Sequence, residues 1–456
     1  MAETPVIGIF KTLTLLWLLY WSWRSTQRIL KGALAPALFL IDVHVLLFGL
    51  PLLLDLTFGR PRYDTWPTFQ YTSADPMTEI LYCIFIAACP LAFWNFGGVR
   101  RTNPLSSGDI ARIAALFQQS RYVKTLFKTL LITPLLTVAL SPNPSLYLSY
   151  AFTLDTTLSQ EETVFHGYVC IFSVLALLSG AAIAATSSHM GRTALFVAPF
   201  IFVANWLVGK RTIVAITALL LILILWLRRK LEGWRLGLLG LAVVCALAGF
   251  TWLYQYIYRS STVYDGGSTY ESYRIDFGRD HGVKMALYAE LNDTMAPILQ
   301  YRGQSVLYTL LFYIPRQAWP VKPWPYAIYS TSAALNHSVA DLGWGITTSC
   351  YEEAVANFGL AGLFIAPLTL VWGCRLGSAA KDIPTTLLTI LVCTLAVTLQ
   401  IGAWLPLAIV WLAVASWSRW KRRTRALRRT CSGPPSRFRA TACAPPLSDH
   451  LEVPRI

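Results

Sequence analysis

Charge is scarce in this chain. Only 13% of its 456 residues are charged, 55% are hydrophobic, and the mean hydropathy is +0.51. A soluble protein carries roughly a quarter charged residues, so the shortage excludes an ordinary water-soluble domain and implies an all-α polytopic integral membrane protein. Paired-cysteine motifs are missing too. Of nine cysteines, Cys83, Cys89, Cys170, Cys245 and Cys393 fall in apolar runs, and no CxxC or Cys/His cluster occurs. A disulfide framework or zinc site therefore has no support. DxD and DD are absent, and the only adjacent acid pairs are Glu161–Glu162 and Glu352–Glu353. No metal site and no cofactor is expected from so few convergent oxygens. The first apolar run, Val6 to Trp23, lacks the basic flank and small-residue cleavage site of a signal peptide and reads as a retained helix.

What the chain has in quantity is long apolar runs. A spanning helix needs about 20 largely apolar residues. Eleven candidates meet or approach this, near 6–23, 33–54, 79–96, 123–140, 167–187, 194–208, 212–227, 236–256, 354–373, 383–400 and 402–418. Lys11 and Asp42 are the charges worth noting inside these runs, with Lys11 near enough to an end for its ammonium to reach the interface. The net charge of +15 is uneven: the tail after Ser418 holds ten Arg/Lys against Asp449 and Glu452, a net +8. A basic run just after the last span reads as a topology anchor touching anionic lipid, not as a nucleic-acid arm.

Basic residues set orientation. With the tail inside, the linkers Arg24–Lys31, Gly97–Arg121, Ser187–Arg192, 228–235 and Arg375–Lys381 also lie inside, and each carries Arg or Lys. The other side receives the N-terminus, a loop at 55–78, a loop at 141–166 without Arg or Lys, and a large segment at 257–353. The expected organisation is membrane helices over 1–256, an outer loop over 257–353, further membrane helices over 354–418, and a basic, low-complexity tail over 419–456. The outer loop carries seven bases and seven acids between Ile257 and Cys350 and is rich in Tyr and Trp. Its apolar run at 305–314 is too short to span, so a re-entrant or interfacial helix is expected there. Next to it stands "FYIPRQAWPVKPWP" at 312–325, with four prolines, two tryptophans, an arginine and a lysine. Proline fixes φ and removes a donor, so this stretch is neither helix interior nor central strand.

"IPRQAWPVKP" at 314–323, followed by "GITTSCYEEAVANFGLAGLF" at 345–364, resembles the Wzy-type oligosaccharide repeat-unit polymerases of bacterial envelopes. The layout is similar as well: many spans, one dominant outer loop late in the chain, and a basic helix junction, here "LVGKRT" at 207–212. The Arg-x10-Gly spacing of some members does not occur from Arg192, Arg211, Arg274 or Arg316. The resemblance implies a metal-independent glycosyltransferase in the bacterial inner membrane. Such an enzyme polymerises undecaprenyl-pyrophosphate-linked repeat units into a surface polysaccharide: O-antigen, capsule or exopolysaccharide. It implies lipid-linked glycan donor and acceptor as partners, with membrane lipids, a chain-length regulator and a flippase, and no nucleic acid.

Such a transfer needs a cation for the leaving pyrophosphate, a base for the acceptor hydroxyl, and exclusion of water. Arginine suits the first task because its fork binds phosphate oxygens bidentately. Arg211 and Arg316 are the candidate catalytic cations, with Lys210, Arg259 and Lys322 as substrate contacts that also fit headgroup anchoring. Arg274 joins this group, although nearby Glu271 and Asp276 point to a salt bridge. Glu352 and Glu353, at the outer start of a span, are the candidate bases, and one of them also suits the helix dipole. His281 and His337 are alternatives by intrinsic pKa; each also reads as a surface histidine. Trp319, Trp324 and Trp344 are expected to stack on sugar faces or anchor the interface. An envelope ligase or another lipid-linked-sugar glycosyltransferase shares most of this plan. A transporter or flippase would be expected to show internal repeats or charges deep within spans.

Overall fold

The computed structural model describes residues 5–99, 121–150, 160–187, 189–209, 211–227, 233–254, 269–314, 316–342, 344–380 and 383–431. Among these residues the regular structure is all helical, with no strand. That is how a backbone surrounded by lipid satisfies its own N–H and C=O groups. Eight helices are long and apolar enough to cross a membrane. They are α1 (Pro5–Leu30), α2 (Pro36–Phe58), α4 (Pro76–Phe96), α5 (Arg121–Ala139), α6 (its apolar part Phe165–Thr186), α7 (its apolar part Gly191–Val208), α14 (Cys350–Ala380) and α16 (its apolar part Ile401–Trp420). The expected spans near 212–227, 236–256 and 383–400 are also helices: α8 (Arg211–Leu227), α9 (Trp234–Tyr254) and α15 (Ile383–Thr398). Of these, α8 and α15 are shorter, with 17 and 16 residues.

Five short helices form a layer over one end of the bundle. They are α3 (Pro67–Thr72), α10 (Thr269–Phe277), α11 (Asp280–Leu291), α12 (Gln304–Leu310) and α13 (Tyr326–Leu335). The main core joins this layer to α1, α2, α4, α14 and α15 through side chains such as Leu38, Phe48, Phe93, Leu287, Tyr351 and Val397. Helices α6 to α9 make a second group. It meets the first where Leu178 and Leu220 pack near Leu391 and Trp411, and where Trp226 and Leu236 pack with Leu34 and Ile390.

Local chemistry explains how the layer is seated. Asp75 caps α4 by accepting the Thr78 N–H at 2.8 Å, with Pro76 in the first turn where its missing N–H costs nothing. In α2, residues Val45–Gly49 form a π turn. Pro51 has no N–H to offer the Leu47 carbonyl, and the Arg279 N–H takes that carbonyl instead at 3.2 Å. The Tyr82 hydroxyl donates to the neighbouring Phe48 carbonyl at 3.1 Å. In α4, Pro90 likewise frees the Ile86 carbonyl, which His44 Nε2–H fills at 3.0 Å. A carbonyl can only accept, so His44 carries its proton on Nε2, and Nδ1 accepts from the Tyr351 hydroxyl at 3.2 Å. Two prolines thus open two carbonyls, and those carbonyls bind α2 to the layer of short helices and to α4.

Candidate functional site

Where the layer meets the spans, six buried charges form a closed ring. Lys11 Nζ lies 3.3 Å from Asp55 Oδ2 and 3.1 Å from Glu79 Oε1. Arg274 Nη2 is 3.0 Å from Asp55 Oδ1 and 2.9 Å from Asp280 Oδ2. Lys284 Nζ closes the ring, 3.2 Å from Asp280 Oδ2 and 3.0 Å from Glu79 Oε2. Charges alternate around the ring, three of each sign, so it is neutral as a whole. Lys11 is 0% exposed, which corrects the expectation that its ammonium reaches the interface. Arg274 also differs from expectation: its carboxylate partners are Asp280, held through both Nη atoms, and Asp55. Glu271 instead accepts from Thr65 Oγ1 at 2.9 Å. Burial opposes ionisation of Asp280, yet Arg274 and Lys284 outweigh it and hold the carboxyl well below the usual range.

His281, next in sequence to the ring, is buried against the Phe69 ring with centroids 4.5 Å apart. It is not a surface histidine. Burial pushes its pKa down to about 3 despite neighbouring Asp280, so it is neutral near pH 7 and a weak base. His337 is exposed; its backbone closes the end of α13, where the Ser332 hydroxyl donates to its carbonyl at 2.5 Å.

Glu352 and Glu353 sit in the first turn of α14, both 1% exposed. The Ser349 N–H donates to Glu352 Oε1 at 2.6 Å, the backbone half of a capping box. Glu353 reaches the other way. Its Oε1 accepts from Ser305 Oγ at 2.8 Å and its Oε2 from the Ile401 N–H at 2.8 Å, the first N–H of α16. Asn357 Nδ2 donates to Ser305 Oγ at 2.7 Å and to the Glu353 carbonyl at 2.6 Å. Glu353 therefore binds α12, α14 and α16 at one point.

The proline-rich segment is stitched to the same point. Gln304, beside Ser305, donates from Nε2 to the Tyr329 hydroxyl at 2.8 Å, and the Trp324 N–H donates to that hydroxyl at 3.2 Å. Arg316 lies over Trp324 with Cζ 3.6 Å from the ring centroid, and donates to the Lys322 and Pro323 carbonyls at 2.7 and 3.0 Å. Lys322 Nζ donates to the Phe312 and Ile314 carbonyls, both at 2.7 Å. Burial, with Arg316 near, lowers its pKa. Both cations are turned into the segment's own backbone. Trp319 is half-buried, and Trp344 packs edge-on to Trp66 at 6.1 Å.

The structure thus brings together Glu352, Glu353, Arg316, Lys322 and Trp324, with Arg274 and His281 on the ring side. Lys210 and Arg259 lie outside the described residues. Arg211 opens α8, and its side chain is likewise outside them. The residues that sequence reasoning missed are Asp55, Glu79, Asp280 and Lys284 of the ring, and Ser305, Tyr329 and Asn357 around Glu353. Asp55 and Glu79 stand at the same ends of two neighbouring spans, a position that was readable; their partners about two hundred residues away were not. No group of three or more His, Cys, Asp or Glu side chains among the described residues is placed to hold a metal ion. No family model, no curated protein and no solved structure matches this chain.

Proposed function

We propose that this chain is a membrane glycosyltransferase that polymerises undecaprenyl-pyrophosphate-linked repeat units into a surface polysaccharide. The observation that carries the reading is the pair Glu352–Glu353, buried at the mouth of a span and joined through Ser305 to the proline- and tryptophan-rich segment. These are the two stretches that resemble the Wzy-type polymerases. In the transfer, the acceptor hydroxyl oxygen bonds to the donor's anomeric carbon. The bond from that carbon to pyrophosphate breaks, the pyrophosphate leaves with the electron pair, and the hydroxyl proton passes to a carboxylate. Arg211 is the candidate cation for the leaving group. Arg316, whose Nη atoms hold carbonyls of its own segment, shapes the wall beside Trp324. The reading places the outer layer and the N-terminus on the outer face of the inner membrane and the tail in the cytoplasm.

The test is reconstitution of purified protein in liposomes with one lipid-linked repeat unit, with and without EDTA. A ladder of added repeats that survives EDTA supports the reading, and a folded protein giving no ladder with its native unit counts against it. One observation favours a second reading, a transporter: Lys11, Asp55 and Glu79 are charges within spans. The ring's closure and neutrality favour a lock over a pathway. Movement of the lipid-linked unit across the bilayer without extension would reverse that preference.

A further inference from the structure

Helices α1 and α4 run side by side in the same direction. Lys11 meets Glu79 at one end, Trp17 Nε1–H donates to the Ala87 carbonyl at 3.0 Å farther along, and beyond that the Trp21 and Trp94 ring centroids are 5.2 Å apart. Arg24 follows Lys11 by 13 residues and Arg28 by 17. At a rise of about 1.5 Å per residue they stand about 20 and about 26 Å along α1 from the buried charge ring. They therefore lie at the far end of the spans, away from the layer of short helices.

Both arginines lie against the same indole. Arg24 Cζ is 5.0 Å and Arg28 Cζ 4.8 Å from the Trp94 ring centroid. Positive charge at this end follows the usual orientation rule, but that rule does not call for two guanidiniums on one ring. Like charges at i and i+4 repel, and no carboxylate offsets them. The ion pairs among the described residues are made by Lys11, Arg274, Lys284 and Arg302, with His281 beside Asp280. Asp42 is the only acid of α1, α2 and α4 outside the buried charge ring. It accepts instead from Ser22 Oγ at 2.9 Å and from Thr26 Oγ1 at 3.3 Å. Toward the middle of α1, Arg24 Nη1 donates to the Tyr20 hydroxyl at 2.9 Å, and the Tyr20 ring stacks on Trp17 with centroids 6.1 Å apart. Tyr20 is 44% exposed and Trp17 39%, so an aromatic wall leads from the arginines toward the apolar middle of the span.

We infer that this corner binds one anionic phospholipid of the leaflet away from the layer, its phosphate between Arg24 and Arg28 and one acyl chain along Tyr20 and Trp17. The charge is complementary: two cations without an acidic partner meet a phosphate, whose oxygens suit the planar guanidinium fork. The phosphate removes the repulsion between the two guanidiniums, while Trp94 holds both through its ring face. The exposed ring faces below supply the apolar wall that an acyl chain prefers. The site does not depend on the proposed glycosyl transfer and lies at the opposite end of the spans from Glu352 and Glu353.

The test uses the full-length protein and two readouts. First, wild type in phosphatidylcholine nanodiscs receives a trace of phosphatidylglycerol carrying a diazirine on one acyl chain, and peptide mass spectrometry locates the photo-adduct. The label falls on α1 between Leu13 and Tyr20 or on the facing residues 87–94 of α4, and unlabelled phosphatidylglycerol suppresses it while phosphatidylcholine does not. A label elsewhere, or equal suppression by both lipids, overturns the inference. Second, native mass spectrometry of detergent-solubilised protein counts retained phosphatidylglycerol. Arg24→Gln and Arg28→Gln each weaken its binding about tenfold, the loss expected when charge-assisted hydrogen bonds are removed. Arg235→Gln serves as the control, because Arg235 is also an exposed arginine, over the Trp234 ring at 5.9 Å, and it leaves binding unchanged. An equal loss in Arg235→Gln would show general attraction to headgroups and contradict a built site. Millimolar glycerol phosphate leaves the lipid in place; its displacing the lipid would assign the arginines to a free phosphate and overturn the lipid assignment. Should a glutamine variant fail to fold, the labelling of wild type and its suppression still decide.

Discussion

Replacing Lys284 by Met is the sharpest probe of how the layer of short helices is held. Lys284 Nζ stands between two carboxylates, 3.0 Å from Glu79 and 3.2 Å from Asp280, and also lies over the Tyr82 ring at 4.8 Å. Met fills the same space without the charge. Within the ring Glu79 then keeps only Lys11 and Asp280 only Arg274, and the six-membered ring carries one net negative charge. Removing one partner of a buried ion pair costs about 3–5 kcal/mol, because the charge left behind is uncompensated. The double variant Lys284→Met/Glu79→Gln restores neutrality, leaving Lys11, Asp55, Arg274 and Asp280 as an open chain. It is therefore expected to be more stable than the sum of the two single losses predicts, by about 1–3 kcal/mol, the usual coupling for residues in one network. Unfolding in SDS–detergent mixtures, followed by tryptophan fluorescence, measures all four proteins. A single variant within about 1 kcal/mol of wild type, or strictly additive losses, would refute the ring as a cooperative lock.

Two further predictions follow from neighbouring groups. His281 is neutral in the fold with a pKa of about 3, because burial outweighs Asp280, whereas the unfolded chain binds a proton below about 6.5. Between these values the unfolded state holds more protons, so stability falls as pH falls, by up to about 1.4 kcal/mol per unit from this group. His281→Leu flattens that slope between pH 6 and 4, as unfolding midpoints across the range will report; an unchanged slope contradicts the assignment. Pro51→Ala returns an N–H to α2 that competes with the Arg279 N–H for the Leu47 carbonyl. The expected result is faster hydrogen exchange in 278–284 with the helix content kept, and unchanged exchange would show that the opened carbonyl is not what seats α11.

The spans were readable because an apolar run of fixed length is a local property, and α1, α2, α4 and α14 answer directly to their runs. The π turn in α2 was not, since Pro51 announces a missing donor but not which outside group replaces it. Near 305–314, where a re-entrant or interfacial helix was expected, the chain forms the short helix α12, ending at Leu310. Glu352 and Glu353 were legible from their place at a helix start. What separates them, Ser305 and Ile401 each 48 residues away, lies in packing that no spacing rule reports. Arg316 and Lys322 stood out as cations in a stiff segment; that they bind the segment's own carbonyls is a matter of its folded path, which composition does not report. The ring shows the same limit, because Lys11 was visible as a charge in an apolar run, while Asp55 and Glu79 looked like ordinary span ends.

The most direct measurement for the central claim is the ratio of undecaprenyl pyrophosphate released to glycosidic bonds formed. Purified protein would be supplied with one radiolabelled lipid-linked repeat unit. Transfer of a growing glycan onto a fresh unit frees one lipid pyrophosphate for each new linkage, so the account predicts a ratio of one at every chain length. Lipid pyrophosphate released without new linkages would indicate hydrolysis, and translocation with neither product would indicate transport; either result would contradict the account.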